Sequence, residues 1–178
     1  MAHIDSLQAG IFSSLAYLPT AYALSAVDTH SEQIALFAAT EPTRVSNIRE
    51  FPEFSTKPAN VVNVPVFGQA TSAQVNAQAD QSTFELTINY IPSDHAALAA
   101  LAGNGSLYVF QIALCDKNPT SLRQVATTGI ASGSVKNTVF NFAAQIVSFT
   151  VVPSLSDSLT AKISLALATE VFGPVTYN

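Results

Sequence analysis

The sequence predicts a mainly β protein, an antiparallel β-sandwich or barrel with one short flanking α-helix. Three observations carry that prediction. Over residues 81–91, Phe84, Leu86, Ile88 and Tyr90 alternate with Thr83, Glu85, Thr87 and Asn89. That two-residue period puts the apolar side chains on one face of an extended strand and the polar ones on the other. Residues 159–168 repeat the device, with Leu159, Ala161, Ile163, Leu165 and Leu167 set against Thr160, Lys162, Ser164, Ala166 and Ala168. Elsewhere short apolar runs are separated by turn formers such as Gly103-Asn104-Gly105, Asn118-Pro119 and Gly173-Pro174, the spacing of many short strands.

One domain accounts for residues 1–178. Residues 1–30 read as an N-terminal arm. Asp5 and Ser6 suit the cap of a short helix bearing Leu7, Ile11, Phe12 and Leu15, whereas Gly10 and Pro19 suit an irregular apolar arm. Either form needs something to lie against, its own domain or another subunit. Residues 33–39 are a short apolar run without caps of their own, which predicts a strand buried on both faces. Pro52 limits residues 45–54 to an edge strand followed by loop, and residues 61–64 form a further extended piece.

Residues 69–81 read as a polar loop rich in glutamine, a length of connection that is usually functional or disordered. After the strand centred on Leu86, Pro92-Ser93-Asp94 ends the extended chain and residues 93–102 read as the short helix. Residues 107–115 are the most apolar strand, placed in the middle of the architecture. Residues 122–130 read as another strand. Residues 138–152 are long enough for one bent strand or two, and residues 171–178 form a C-terminal tail.

Composition narrows the function classes. Charged residues make up 11% of the chain and hydrophobic ones 48%, whereas roughly a quarter of a typical soluble domain is charged. So sparse a charge points to surface covered by other subunits, against the plainer reading of a lightly charged monomeric β-domain. The net charge of −5 and scattered basic residues argue against tight nucleic-acid binding, which needs clustered Lys and Arg. No residue before Arg44 is basic, so a secretory signal is not expected, and no apolar run is long enough for a membrane helix. The single Cys115 permits no internal disulfide and fits a reducing compartment.

Catalytic chemistry is not legible. His3, His30 and His95 stand at no metal-ligand spacing with one another or with Cys115. His95 beside Asp94 reads as first-turn helix chemistry. In Gly129-Ile130-Ala131-Ser132-Gly133 the serine is one place late for a nucleophile elbow. Gly103-Asn104-Gly105 lacks the third glycine of a dinucleotide loop. The expectation is no enzyme, no metal and no cofactor.

The order of these pieces resembles the major tail tube protein of long-tailed, siphovirus-like bacteriophages over about residues 33–170. The stretches that carry the resemblance are I-A-L-F-A-A, R-V-S-N-I-R-E-F-P-E-F and N-V-V-N-V-P-V, then a polar loop, T-F-E-L-T-I-N-Y, D-H-A-A-L-A-A-L and Y-V-F-Q-I-A-L. The closing pair F-N-F-A-A-Q-I-V-S-F-T-V-V and L-T-A-K-I-S-L completes it. The likeness is one of pattern and order, since none of these stretches is a strict motif.

The resemblance implies a structural virion protein whose copies form hexameric rings with one continuous inner β-barrel. The rings stack into a tube around the tape-measure protein and later pass double-stranded DNA without binding it specifically. It also implies tail terminator and tail-tip or baseplate proteins as partners, no membrane, and a virion tail assembled in the host cytoplasm. The 66–81 loop would reach the next ring, through Phe67, Gln69, Gln74, Asn76, Gln78 and Asp80. The candidates for the lumen face are Thr83, Glu85, Thr87 and Asn89, with Lys162 and Ser164 on the second alternating strand; on a free domain the same faces would simply meet solvent. Two other classes stay open: the tube of a contractile injection or secretion system, and a monomeric sandwich that binds carbohydrate or surfaces.

Overall fold

The computed structural model describes residues 12–51, 53, 60–65, 73–77, 83–125, 129–130, 137–154 and 158–177. The fold is mainly β. Its strands are β1 (Ser14–Tyr17), β2 (Thr43–Arg44), β3 (Ile48–Glu50), β4 (Asn60–Val64), β5 (Ala73–Ala77), β6 (Thr83–Asn89), β7 (Leu107–Cys115), β8 (Gln124–Val125), β9 (Gly129–Ile130), β10 (Asn137–Val152), β11 (Thr160–Leu167) and β12 (Phe172–Tyr177). Two helices accompany them, α1 (His30–Ala39) and α2 (Pro92–Ala100). The main sheet is antiparallel throughout and runs β2-β1-β7-β10-β11-β6-β3, with β12 beside β10; β4–β5 and β8–β9 are separate two-stranded pairs.

β10 is the spine. Its first half pairs with β7 from Asn137 to Gln145 and, on the other side, with β12. Its second half pairs with β11, with a bulge between Ile146 and Ser148. β11 and β12 are thus successive parts of one partner, interrupted at 168–171. There Thr169 Oγ1 accepts the Ala143 N–H at 2.9 Å, so a side chain stands in for a missing ladder bond.

The sheet curls into a half-barrel. The two ends of the strand order, β2 and β3, are separated in the chain only by residues 45–47, so that segment spans the open side. The Val45 N–H donates to Leu15 O and the Asn89 N–H to Asn47 O, both at 2.8 Å. Asn47 turns the corner with φ of 56°, a left-handed conformation that Asn tolerates better than most residues.

Inside the curl, Leu15, Tyr17, Val45, Phe84, Leu86, Ile88, Phe110, Phe142, Ile163 and Leu165 form the main core. Phe142 meets Phe84 edge-on at 5.2 Å and stacks on Phe110 at 5.5 Å, the arrangements aromatic rings prefer. α2 adds Leu98 to this core. Its His95 is buried, with Nε2 at 3.0 Å from Ser46 O and Nδ1 accepting the Ile91 N–H at 3.1 Å. That imidazole fastens α2 to the segment across the open side.

The other face of β1, β7 and β10 is covered as well. Phe37 of α1 packs with Leu18, Val27, Val109 and Ala143, and Leu122 and Ile130 pack with Ala16, Ala113, Cys115 and Val139. This double cover explains why Tyr108 to Ala113 are all buried. α1 is tied to the chain leading into β8: the Arg123 guanidinium donates to Ala38 O and Ala39 O at the helix end, and Glu41 accepts from Ser121 Oγ and the Leu122 N–H.

Several expectations are corrected. One flanking helix becomes two, because residues 33–39 are helical rather than a doubly buried strand. Their N-terminal signal lies just upstream: Thr29 accepts the Glu32 N–H and Glu32 accepts the Thr29 N–H, a capping box, and the alanine-rich run that follows favours helix. Gln33 and Phe37, four residues apart, are its buried positions. Of the two architectures expected, sandwich or barrel, the curled antiparallel sheet is nearer the second, a half-barrel with helical and hairpin cover.

Within the expected arm, Ser14–Tyr17 is a fully buried strand, and residues 1–11 lie outside the described residues. Within the expected C-terminal tail, Phe172–Tyr177 is a strand of the sheet. Residues 122–130 hold two short strands instead of one, because Gly129 starts a return rather than a continuation. The edge-strand reading of 45–54, the long bent strand at 138–152 and the helix after Asn89 agree with the structure.

Two substitutions test these local devices. Thr29→Ala removes the capping hydroxyl and is expected to cost about 1 kcal/mol in urea unfolding; an unchanged midpoint would show that the box contributes nothing. Gly173 has φ of 129°, and an added Cβ would sit 2.8 Å from Val139 O and 2.9 Å from Phe140 Cδ1. Gly173→Ala is therefore expected to lower stability by about 2 kcal/mol or more, and a wild-type melting temperature would contradict that.

Candidate functional site

The polar positions named from the alternation come together on one face. On β6, Phe84, Leu86 and Ile88 are buried while Thr83 and Glu85 are exposed and Thr87 and Asn89 half-buried. On β11, Ala161, Ile163, Leu165 and Leu167 are buried while Lys162 is exposed and Ser164 half-buried. The register sets Thr83 opposite Ala166, Glu85 opposite Ser164, Thr87 opposite Lys162 and Asn89 opposite Thr160. All six residues predicted for this face therefore share it.

The face is wider than the sequence suggested. β10 extends it with Ser148 opposite Ser164, Thr150 opposite Lys162 and Val152 opposite Thr160, and β3 brings Glu50 opposite Thr87. The result is a four-strand surface, β10-β11-β6-β3, built mainly from hydroxyls and an amide with three charged groups, with Ala166 and Val152 as apolar members. Both carboxylates lie on the β6 side of Lys162: Glu85 is diagonal to it on β6, and Glu50 is two strands away in its own cross-strand row through Thr87. Ser158 Oγ donates to Asn89 Oδ1 at 3.1 Å, ordering one end. A surface of this kind offers many weak hydrogen-bonding groups and little net field, so it can face water or a moving polymer without gripping it.

This four-strand surface also ends in two strand edges. β7 stops pairing with β10 at Gln145, after which the Gly103 N–H donates to Ile146 O. Beyond that point no strand among the described residues pairs with residues 147–152 on that side. That stretch reads V-S-F-T-V-V, with Val147 53% exposed, Val151 39% and Val152 40%. An uncharged, β-branched strand with an open edge is a ready template for another strand. At the far side, β3 pairs only with β6 among the described residues. The sequence carried the signal for the 147–152 edge, a β-branched run without charge or Pro, but not that its neighbour β7 would stop short.

Part of the predicted contact loop is strand. Gln74 and Asn76 lie on β5, at register positions opposite Asn63 and Val61 of β4. Phe67, Gln69, Gln78 and Asp80 lie outside the described residues. The pair Asn60–Ala77 is ten residues beyond Glu50–Thr87 on both strands, so β4–β5 continues the β3–β6 pairing in step.

The titratable groups elsewhere serve packing. His30 stacks on Phe172 at 5.5 Å, and burial lowers its pKa. His95, read from sequence as first-turn helix chemistry, accepts the N–H of the N-cap residue Ile91 and also fastens α2 to Ser46, a partner too distant in the chain to be legible. Among the described residues, no group of three or more His, Cys, Asp or Glu is placed to hold a metal ion, and no helix is long and apolar enough to cross a membrane. No protein-family model matches this chain, and no curated protein is significantly similar to it.

Cys115 offers a direct check on reactivity. Burial pushes its thiol up to about 11, the Asp116 carboxylate adds to the shift and Arg44 opposes it. Little thiolate then exists near pH 8, so a thiol reagent is expected to label the native protein at least roughly a hundredfold more slowly than the urea-unfolded chain. Equal rates would contradict the burial of this side chain.

Proposed function

We propose that this chain is a tail tube subunit of a long-tailed phage, a structural protein that assembles edge to edge into rings and stacks them into a conduit for DNA. The observation that carries the reading is the β10-β11-β6-β3 surface, polar on one face and apolar on the other, whose polar face and two strand edges are left uncovered by the described residues. Its strands alternate in direction. β3 of one copy would therefore meet residues 147–152 of the next antiparallel, continuing the pattern of the sheet. Closing the ring removes both edges at once, which is how β-barrels dispose of them.

Six copies contributing four strands each, spaced about 4.8 Å and tilted about 40°, would give a backbone ring about 48 Å across. With side chains subtracted, an opening of order 35–40 Å remains, wide enough for duplex DNA. Thr83, Glu85, Thr87, Asn89, Lys162 and Ser164 would line it, with Ser148, Thr150 and Glu50. Their mild net negative charge would repel phosphates weakly and let the duplex slide. The tape-measure protein would occupy the same bore during assembly. The hairpin that carries Gln74 and Asn76 would reach the adjacent ring, with terminator and tip proteins closing the ends of the tube.

Negative-stain microscopy of the purified protein tests this reading. Rings or tubes with a central hole are expected at high concentration. Val147→Lys, which puts a charge on the open edge, is expected to abolish them while leaving the circular dichroism spectrum unchanged. Single globules at every concentration and ionic strength, with wild type and variant alike, would overturn the proposal.

A further inference from the structure

Beneath the β8–β9 pair lies a cluster that the ring reading does not use. Gln111 of β7 and Asn141 of β10 stand directly opposite each other on the covered face of the sheet, and Gln124 of β8 comes down onto them. All three are fully buried. Gln111 Nε2 donates to Gln124 Oε1 at 3.0 Å, and Asn141 Nδ2 donates to the same oxygen at 2.7 Å. One oxygen therefore takes two donors, while Gln111 Oε1, Asn141 Oδ1 and Gln124 Nε2 are buried without a hydrogen-bond partner among the described residues. The cluster separates two apolar patches, Ala16, Ala113, Leu122 and Val139 on one side and Val109, Ala143 and Phe37 on the other.

We infer that these three amides hold an internal water molecule as a fixed part of the structure. Two oxygens that need donors and one N–H group that needs an acceptor match what a single water provides, two O–H donors and lone pairs. The match survives exchange of amide O and N. If all three amides are flipped, Gln124 donates to both neighbours, and two N–H groups and one oxygen are left, which a water also satisfies. A metal cation fits neither arrangement, because each leaves at least one N–H group facing the site. An apolar filler would leave three buried polar atoms unsatisfied, a costly state in a low-dielectric interior. Ser14 Oγ is also buried without a partner. It lies on the same face, in the row of Ala113, next to that of Gln111, so its hydroxyl is the natural fourth contact. The water and the amides together would set where β8–β9 rests on the sheet.

A high-resolution structure of the full chain, as single subunit or as assembly, is the test. The expected result is one density peak at ordinary hydrogen-bond distance, about 2.7–3.2 Å, from at least two of Gln111 Oε1, Asn141 Oδ1 and Gln124 Nε2. In Gln124→Met, which keeps the side-chain volume, that peak is expected to be lost while the strands around it keep their register. A site with no peak, a peak that persists in Gln124→Met, or one at about 2.3–2.6 Å from oxygens only, as for a cation, would overturn the inference.

Discussion

Each of the sixteen residues of β10 brings a backbone N–H and a C=O that need partners, and no neighbouring strand is long enough to supply them all. β7 serves one side of the first half; β12 and then β11 serve the other. One side of residues 147–152 is left over. This unequal pairing is the constraint on which the rest of the architecture depends. The bulge after Ile146 re-aims the strand where β7 ends, and the sheet passes there from a region covered on both faces to one covered on a single face. An unpaired backbone edge in water is tolerable, but an uncharged valine-rich one rarely stays alone. In the proposed ring, this edge is where a second copy would attach.

The two halves of the sheet solve different problems. Where β1, β7 and the start of β10 lie, both faces are covered, by the half-barrel core on one side and by α1 and β8–β9 on the other. Where β6, β11 and the end of β10 lie, the described residues cover only the core side, and the opposite face is rich in Thr, Ser and Asn, with Lys162, Glu85 and Glu50 on three successive strands. Segment 45–47 joins the two halves across the open side, and His95 holds it against α2. A rigid, doubly covered half is a suitable support for a polar half that presents itself to something else. Six such polar halves would make a wall with little charge to hold a polyanion.

Much of this was legible in the residues, for a physical reason. Alternation over 83–89 and 160–167 is a direct record of one wet face and one dry one, so the polar face could be named residue by residue. The break at Gly103-Asn104-Gly105 marked a real turn for the same kind of local reason, whereas Gly173-Pro174 lies within β12. α1 was misread because its apolar run is short and Ala-rich, and its cap begins at Thr29, outside the window that looked like a strand. The choice between sandwich and barrel was not legible because curl is a property of strand order: β2 and β3 are near neighbours in the chain yet lie at opposite ends of the sheet. Ser14–Tyr17 and Phe172–Tyr177 read as arm and tail because each is only the right length to pair with part of a longer strand. The open edge of β10 depends on where β7 stops, which no local pattern records.

The central claim is that the backbone edge at residues 147–152 is covered by another copy of the same chain. Hydrogen–deuterium exchange of those amides, followed from dilute to concentrated protein, measures this most directly. Fast exchange in dilute solution, giving way to strong protection at high concentration while β7 and the first half of β10 stay protected throughout, is the result expected. Exchange at 147–152 that does not change with concentration would contradict it.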